Sequence, residues 1–136
     1  MARRRDLLKL LPAAPFALSA AADASKLPNT VVDPETAPLK KLPFGDAHVY
    51  FEGATDQVRS MVGGSLRLAV GKSDPPHKHE EEEFMVIAEG AAEILVDGKT
   101  VKVKPGSMMY CAANKTHGIT NIGKIPVLFY YYKWKV

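Results

Sequence analysis

The chain has 136 residues, 46% of them hydrophobic, which suits one domain with its own core and leaves no room for two. Its formal charge of +3 sits largely at the start: the first 24 residues hold Arg3, Arg4, Arg5 and Lys9 against Asp6 and Asp23, and the remainder carries about +1. So nearly neutral a body excludes a basic nucleic-acid surface, and the single Cys111 excludes an internal disulfide.

Residues 1–24 read as a targeting segment. Three arginines and Asp6 precede Leu7, Leu8 and Lys9, and a modest apolar run from Leu10 to Ala22 ends in small residues. The pattern resembles a twin-arginine export signal with Arg4 and Arg5 as its pair and cleavage after Ala22 or Ala24. The alternative is a disordered or amphipathic N-terminus, because Pro12 and Pro15 weaken the run as a helix. No membrane span is expected, since the run falls short of the ~20 apolar residues a bilayer requires. The resemblance implies a periplasmic destination and, as that route carries folded proteins, loading of any metal beforehand.

Residues 25–46 carry Pro28, Pro34, Pro38 and Pro43 among polar neighbours, which favours an extended arm or a linker over a helix. A domain of short strands is expected over 47–136. His48 to Glu52 is extended and ends at Gly53, with His48 on the strand surface. Ser65 to Val70 alternates, with Leu66, Leu68 and Val70 on one face.

The stretch Gly71 to Gly90, GKSDPPHKHEEEEFMVIAEG, is the most informative. His77 and His79 lie two apart and Glu83 four further on, so on an extended strand all three side chains leave one face. His117, from a later strand, would complete a set of three imidazoles and one carboxylate. Such donors suit one divalent transition metal: Fe, Mn, Ni, Cu or Zn. Glu80 to Glu82 read as a solvated charge run, and a β-bulge would pass the carboxylate role to Glu82 or Glu81. Pro75 and Pro76 stiffen the loop that delivers His77.

Beyond Gly90, Ala92, Ile94 and Val96 alternate with polar residues up to Asp97-Gly98, a two-residue hairpin turn, and Val101 and Val103 mark the returning strand. Met108 to Ala112 and Ile119 to Ile122 are the next strands, and Val127 to Trp134 is the last, apolar on both faces. Cys111 reads as a buried, inert thiol. By strand parity Met85, Ile87, Tyr110, Ile119, Phe129 and Tyr131 are candidates for a cavity wall. Tyr110 or Tyr131 would offer a hydroxyl as proton donor or anchor. Asn121 is expected to hold the turn beside His117. About eight short antiparallel strands and no long helical period fit an all-β double-sheet jelly roll.

Gly71, His77, His79, Glu83 and Gly90 together resemble the first motif of the cupin superfamily without a gap. A second motif is partly kept, with His117 and Asn121 in place, Ala112 where the family has Pro and Asn114 where it has Gly. Asn tolerates the left-handed backbone that Gly supplies at such a turn. The resemblance covers roughly residues 47–134 and implies a cupin barrel, metal held by His77, His79, Glu83 and His117, and a homodimer as the default assembly. It also implies oxygen chemistry of the dioxygenase type on a small organic substrate, with Glu83 able to loosen and take a proton. The alternatives are a metal-dependent isomerase, decarboxylase or lyase, or a non-catalytic binding protein. No basic cluster is expected inside the barrel, which disfavours a sugar phosphate. For the export segment, a reporter fused to residues 1–25 is expected to be exported, and to lose export when Arg4 and Arg5 are both changed to Lys.

Overall fold

The structure, a computed structural model, describes residues 26–136; the export segment and its cleavage positions lie outside the described residues. The described residues hold ten strands and no helix: β1 Leu39–Leu42, β2 Gly45–Gly53, β3 Ser60–Leu68, β4 Ser73–His77, β5 Glu82–Glu89, β6 Ala92–Val96, β7 Lys99–Val103, β8 Met108–Cys111, β9 His117–Asn121 and β10 Val127–Lys135. They form a six-stranded sheet in the order β1-β2-β3-β10-β5-β8 and a four-stranded sheet in the order β4-β9-β6-β7. Every ladder between them is antiparallel. This is the double-sheet jelly roll that the strand pattern predicts.

Ten strands exceed the expected eight because two prolines-rich stretches pair after all. Leu39–Leu42, inside the stretch read as an arm, lies on β2, with Leu42 opposite Gly45. Ser73–His77, expected as a loop, pairs with β9 through a register shift between Asp74 and His77, where Pro75 and Pro76 lie. Proline donates no amide hydrogen to a ladder, so a shifted outermost strand is where it can be accommodated. β3 also starts earlier than expected and stops at Leu68, which leaves Val70 in the following turn, exposed.

The two inner faces supply the core. Leu68, Ile87, Val127 and Phe129 are its largest fully buried side chains, joined by Leu66, Met85, Ile94, Met109 and Ile119. Their spacing of two along β3, β5 and β10 is the inward half of each alternation. β10 lies between β3 and β5 in the larger sheet, so both of its edges are paired. Its Val127 and Phe129 are buried, while Leu128, Tyr130 and Trp134 on the outer face are only half-buried and Tyr132 is exposed. Asp97 and Gly98 both take positive φ, 56° and 71°, the requirement of the expected hairpin turn. Asn114 takes φ 61°, the left-handed backbone expected of it.

Phe129 is 2% exposed. Its replacement by Ala is expected to cost about 3–5 kcal/mol in urea unfolding, whereas Val101→Ala, at a position 47% exposed, should change stability by less than about 0.5 kcal/mol. Equal losses at the two positions would contradict this assignment of the core.

Candidate metal centre

His77 closes β4 and His117 opens β9, and the two stand directly opposite in the ladder. Their rings are 4.6 Å apart between centroids. His79 lies two residues beyond the end of β4, in the connection to β5, so the parity that was expected to align it does not apply there. It is drawn in by a loop contact: the Asn114 amide donates to the His79 carbonyl at 2.7 Å, which ties this connection to the turn preceding β9. The His79 ring is 4.9 Å from that of His117. One nitrogen from each of the three imidazoles falls within 4.8 Å of the others.

Glu83 comes from the other sheet. It lies near the start of β5, 6% exposed, with Met85 and Ile87 continuing the same inward face. One of its oxygens, Oε1, stands 2.9 Å from His79 Nε2 and 3.0 Å from His117 Nε2. The three histidines and Glu83 thus lie together across both sheets, with the Glu83 carboxylate facing His79 and His117. The Glu82 carboxylate points outward and accepts a hydrogen bond from Tyr110 at 2.6 Å.

The other ring nitrogens are all engaged. His77 Nδ1 is 2.8 Å from the Pro75 carbonyl, His79 Nδ1 is 3.0 Å from that of Glu81 and His117 Nδ1 is 3.0 Å from that of Lys115. A carbonyl only accepts, so each Nδ1 is the donor, and Nε2 is the atom that faces Glu83 and the neighbouring rings. Such anchoring fixes tautomer and ring orientation in metal-ligating histidines. Three imidazoles and a buried carboxylate are donors that would suit a divalent first-row cation.

Protons do the same work when no cation is bound. Burial would push Glu83 up, but hydrogen bonds from His117 and His79 outweigh it and hold its carboxyl below the usual range. The Glu83 hydrogen bond in turn raises His117 above the ordinary imidazole value, against its burial. Cys111, opposite Glu83 on β8, is buried, and burial raises its thiol. The thiol sulfur lies 3.4 Å from His117 Nδ1 and 3.6 Å from the Lys115 carbonyl, a packing role that agrees with the inert reading.

A cavity of about 130 Å³ opens beside the site, lined by His77 and Glu83 together with Asp74, Phe129, Tyr131 and Lys133, and closed by Leu42, Phe44, Ala47 and Leu66. Of the expected wall residues, Phe129 and Tyr131 line it, while Met85, Ile87 and Ile119 pack in the core. Tyr110 is not brought to the site. Met109 and Cys111 take the inward positions of β8, which leaves Tyr110 on the outer face, 58% exposed. Its catalytic role is therefore withdrawn, and its hydrogen bond to Glu82 raises its pKa further. His48 lies apart, bonded through Nδ1 to the Ala37 carbonyl at 3.1 Å. Asn121 holds the turn as expected: its amide donates to the Leu68 and Ile125 carbonyls and its oxygen accepts from Gly123.

Asp74 and Lys133 are the two charged cavity residues that sequence reasoning missed, beside the apolar Leu42, Phe44, Ala47 and Leu66. Lys133 was within reach, because it continues the inward alternation Val127, Phe129, Tyr131 by one step. Asp74 was not, because the register shift at Pro75 and Pro76 breaks the count between it and His77. Burial raises Asp74 first, and the neighbouring His77 lowers it in part. Burial also raises Tyr131, so its hydroxyl keeps its proton at neutral pH.

The family profile described as Cupin domain matches residues 64–131. The chain belongs to the cupin family. Among curated proteins it is 26% identical over 96 residues to the dimethylsulfoniopropionate lyase DddW of Ruegeria pomeroyi, covering 67% of this chain and 63% of that lyase. Among solved structures it resembles a predicted oxalate decarboxylase of Thermotoga maritima, with a TM-score of 0.65 at 20% identity over 79% of this chain and 100% of that one. It also resembles the cupin domain of Schizosaccharomyces pombe Cnp3, with a TM-score of 0.65 at 18% identity over 76% and 72%. At such identities the two structures speak for the fold alone.

The pKa directions predict how the metal-free protein responds to pH. Glu83, lowered, adds stability that is present above pH 4.5 and lost as pH falls through its folded value. His117, raised, adds stability that is full below pH 6.5 and lost as pH rises through its folded value. With a chelator present, the melting temperature should therefore fall as pH is raised from 6.5 to 8, and zinc, which replaces the shared protons, should remove that fall. A chelated protein with a flat profile over this range would contradict the proton-linked pairing.

Proposed function

We propose that this chain is a metal-dependent lyase acting on a small organic molecule. The observation that carries the reading is one juxtaposition: Asp74 and Tyr131 line the same cavity as His77 and Glu83. The similarity to a lyase of the same family supports it. A divalent cation held by His77, His79, Glu83 and His117 would supply positive charge against a substrate carbonyl or carboxylate oxygen, which acidifies the adjacent C–H bond.

The chain's own groups divide the rest of the work. Asp74, made more basic by burial, takes the proton from that carbon onto a carboxylate oxygen. The electrons of the broken C–H bond form a double bond to the next carbon, whose bond to the leaving group breaks and carries its electron pair away. Tyr131, still protonated, donates a hydrogen bond to substrate oxygen as charge develops there. Phe44, Leu66 and Phe129 exclude water from the same space. Asp74 then returns its proton to solvent.

Oxygen chemistry of the dioxygenase type is the second reading, favoured by the three-imidazole set, which leaves room for further ligands on a redox-active metal. The resemblance of residues 1–24 to a twin-arginine signal supports periplasmic action. The partly exposed aromatic face of β10, with Tyr130, Tyr132 and Trp134, supports a homodimer.

The deciding experiment is turnover under anaerobic conditions. Metal-loaded protein would be offered short carboxylates with a leaving group on the β-carbon, dimethylsulfoniopropionate among them, and the alkene product followed by proton NMR. Alkene formation without oxygen is expected, with Asp74→Asn lowering kcat by about 10²–10⁴-fold at unchanged metal content. Turnover that consumes oxygen in proportion to product would establish the second reading instead.

A further inference from the structure

Lys133 is an unusual occupant of this cavity. It follows Tyr131 on the inward face of β10, and its Cα partner across the ladder to β5 is Glu83. Side chains directly opposite in an antiparallel pair share a face, about 4.5–5.5 Å apart at Cβ. Lys133 therefore shares a face with Glu83, and both line the cavity. Lys133 makes no ion pair within 4.0 Å among the described residues, although Glu83 and Asp74 line the same space. Glu83 gives its Oε1 to two histidines instead. Lys133 Nζ lies 5.7 Å from the centre of the Tyr131 ring, over its face. That contact holds the cation in place without neutralising it.

Charge and size then define what the cavity accepts. With a divalent cation on the four ligands, the charges of Glu83, Asp74 and Lys133 leave a single net positive charge, which a monoanion would cancel and a dianion would overshoot. At about 130 Å³ the cavity is small beside the ~300–1,000 Å³ of common ligand sites, which favours a small molecule. The geometry points to Lys133 as the residue that selects the substrate, by pairing with the carboxylate of a short monocarboxylic acid whose reacting carbon lies toward His77 and Glu83. This rests on the proposed reaction for the carbon chemistry, but not for the binding.

Binding therefore supplies the test. Zinc-loaded protein would be titrated with propionate and with propionamide, which share shape and differ in charge, using ligand-observed NMR. Propionate is expected to bind at least about tenfold more tightly than the amide, as one charge-assisted hydrogen bond allows. Lys133→Met should abolish that preference with zinc content unchanged, and Lys133→Arg should restore most of it. Equal binding of acid and amide by the native chain would overturn the assignment. So would an undiminished preference in Lys133→Met, since the carboxylate would then be held by the metal alone. Should Lys133→Met fold poorly, Lys133→Gln answers the same question with a shorter polar chain. Preference for propionate without elimination of any β-substituted acid would sink the lyase reading and leave Lys133 assigned; elimination with KM unmoved in Lys133→Met would do the reverse.

Discussion

A single carboxylate oxygen, Glu83 Oε1, faces two imidazole nitrogens at 2.9 and 3.0 Å, and much of the structure serves that contact. A buried carboxylate is costly unless paired and hydrogen-bonded. Glu83 belongs to the six-stranded sheet, while His117 belongs to the four-stranded one, so the bond that compensates its burial also spans the two sheets. The three Nδ1 anchors are all main-chain carbonyls two residues away. The rings are thereby held first by local backbone geometry, and Nε2 of His79 and of His117 is left to face Glu83.

The consequence for chemistry is a polar pocket inside an apolar barrel. Phe129, Leu66 and Ala47 are buried around it, and the low dielectric they create strengthens each electrostatic contact they surround. Asp74, Tyr131 and Lys133 therefore act on one another and on the ligands more strongly than they would at a surface.

The fold and the positions of His77, Glu83 and His117 on their strands were legible in the sequence because both depend on spacing. Leu66 and Leu68, Met85 and Ile87, and Phe129 and Tyr131 keep the strand period of two, and turn residues such as Asp97-Gly98 mark where it restarts. Within β10 the same period extended to Lys133. It failed wherever the chain left a regular strand. His79 follows the end of β4, and its place is set by the Asn114 amide, a long-range contact that no local period encodes. Asp74 is separated from His77 by a register shift. Tyr110 required the phase of β8, and that phase is fixed by the pairing of Cys111 with Glu83, which only the folded ladder provides. Alternation tells which residues travel together along a strand; the partner strand decides which way they face.

Pro75 and Pro76 also bear on how the molecule meets other chains. β4 pairs only with β9, so its outer edge is the rim of the four-stranded sheet. An open rim ordinarily offers a row of amide donors to any extended peptide, and natural proteins blunt such rims with proline. Here two consecutive residues have no amide hydrogen to offer, directly beside His77. The strand that carries His77 thus presents a rim poorly suited to pairing with a foreign strand.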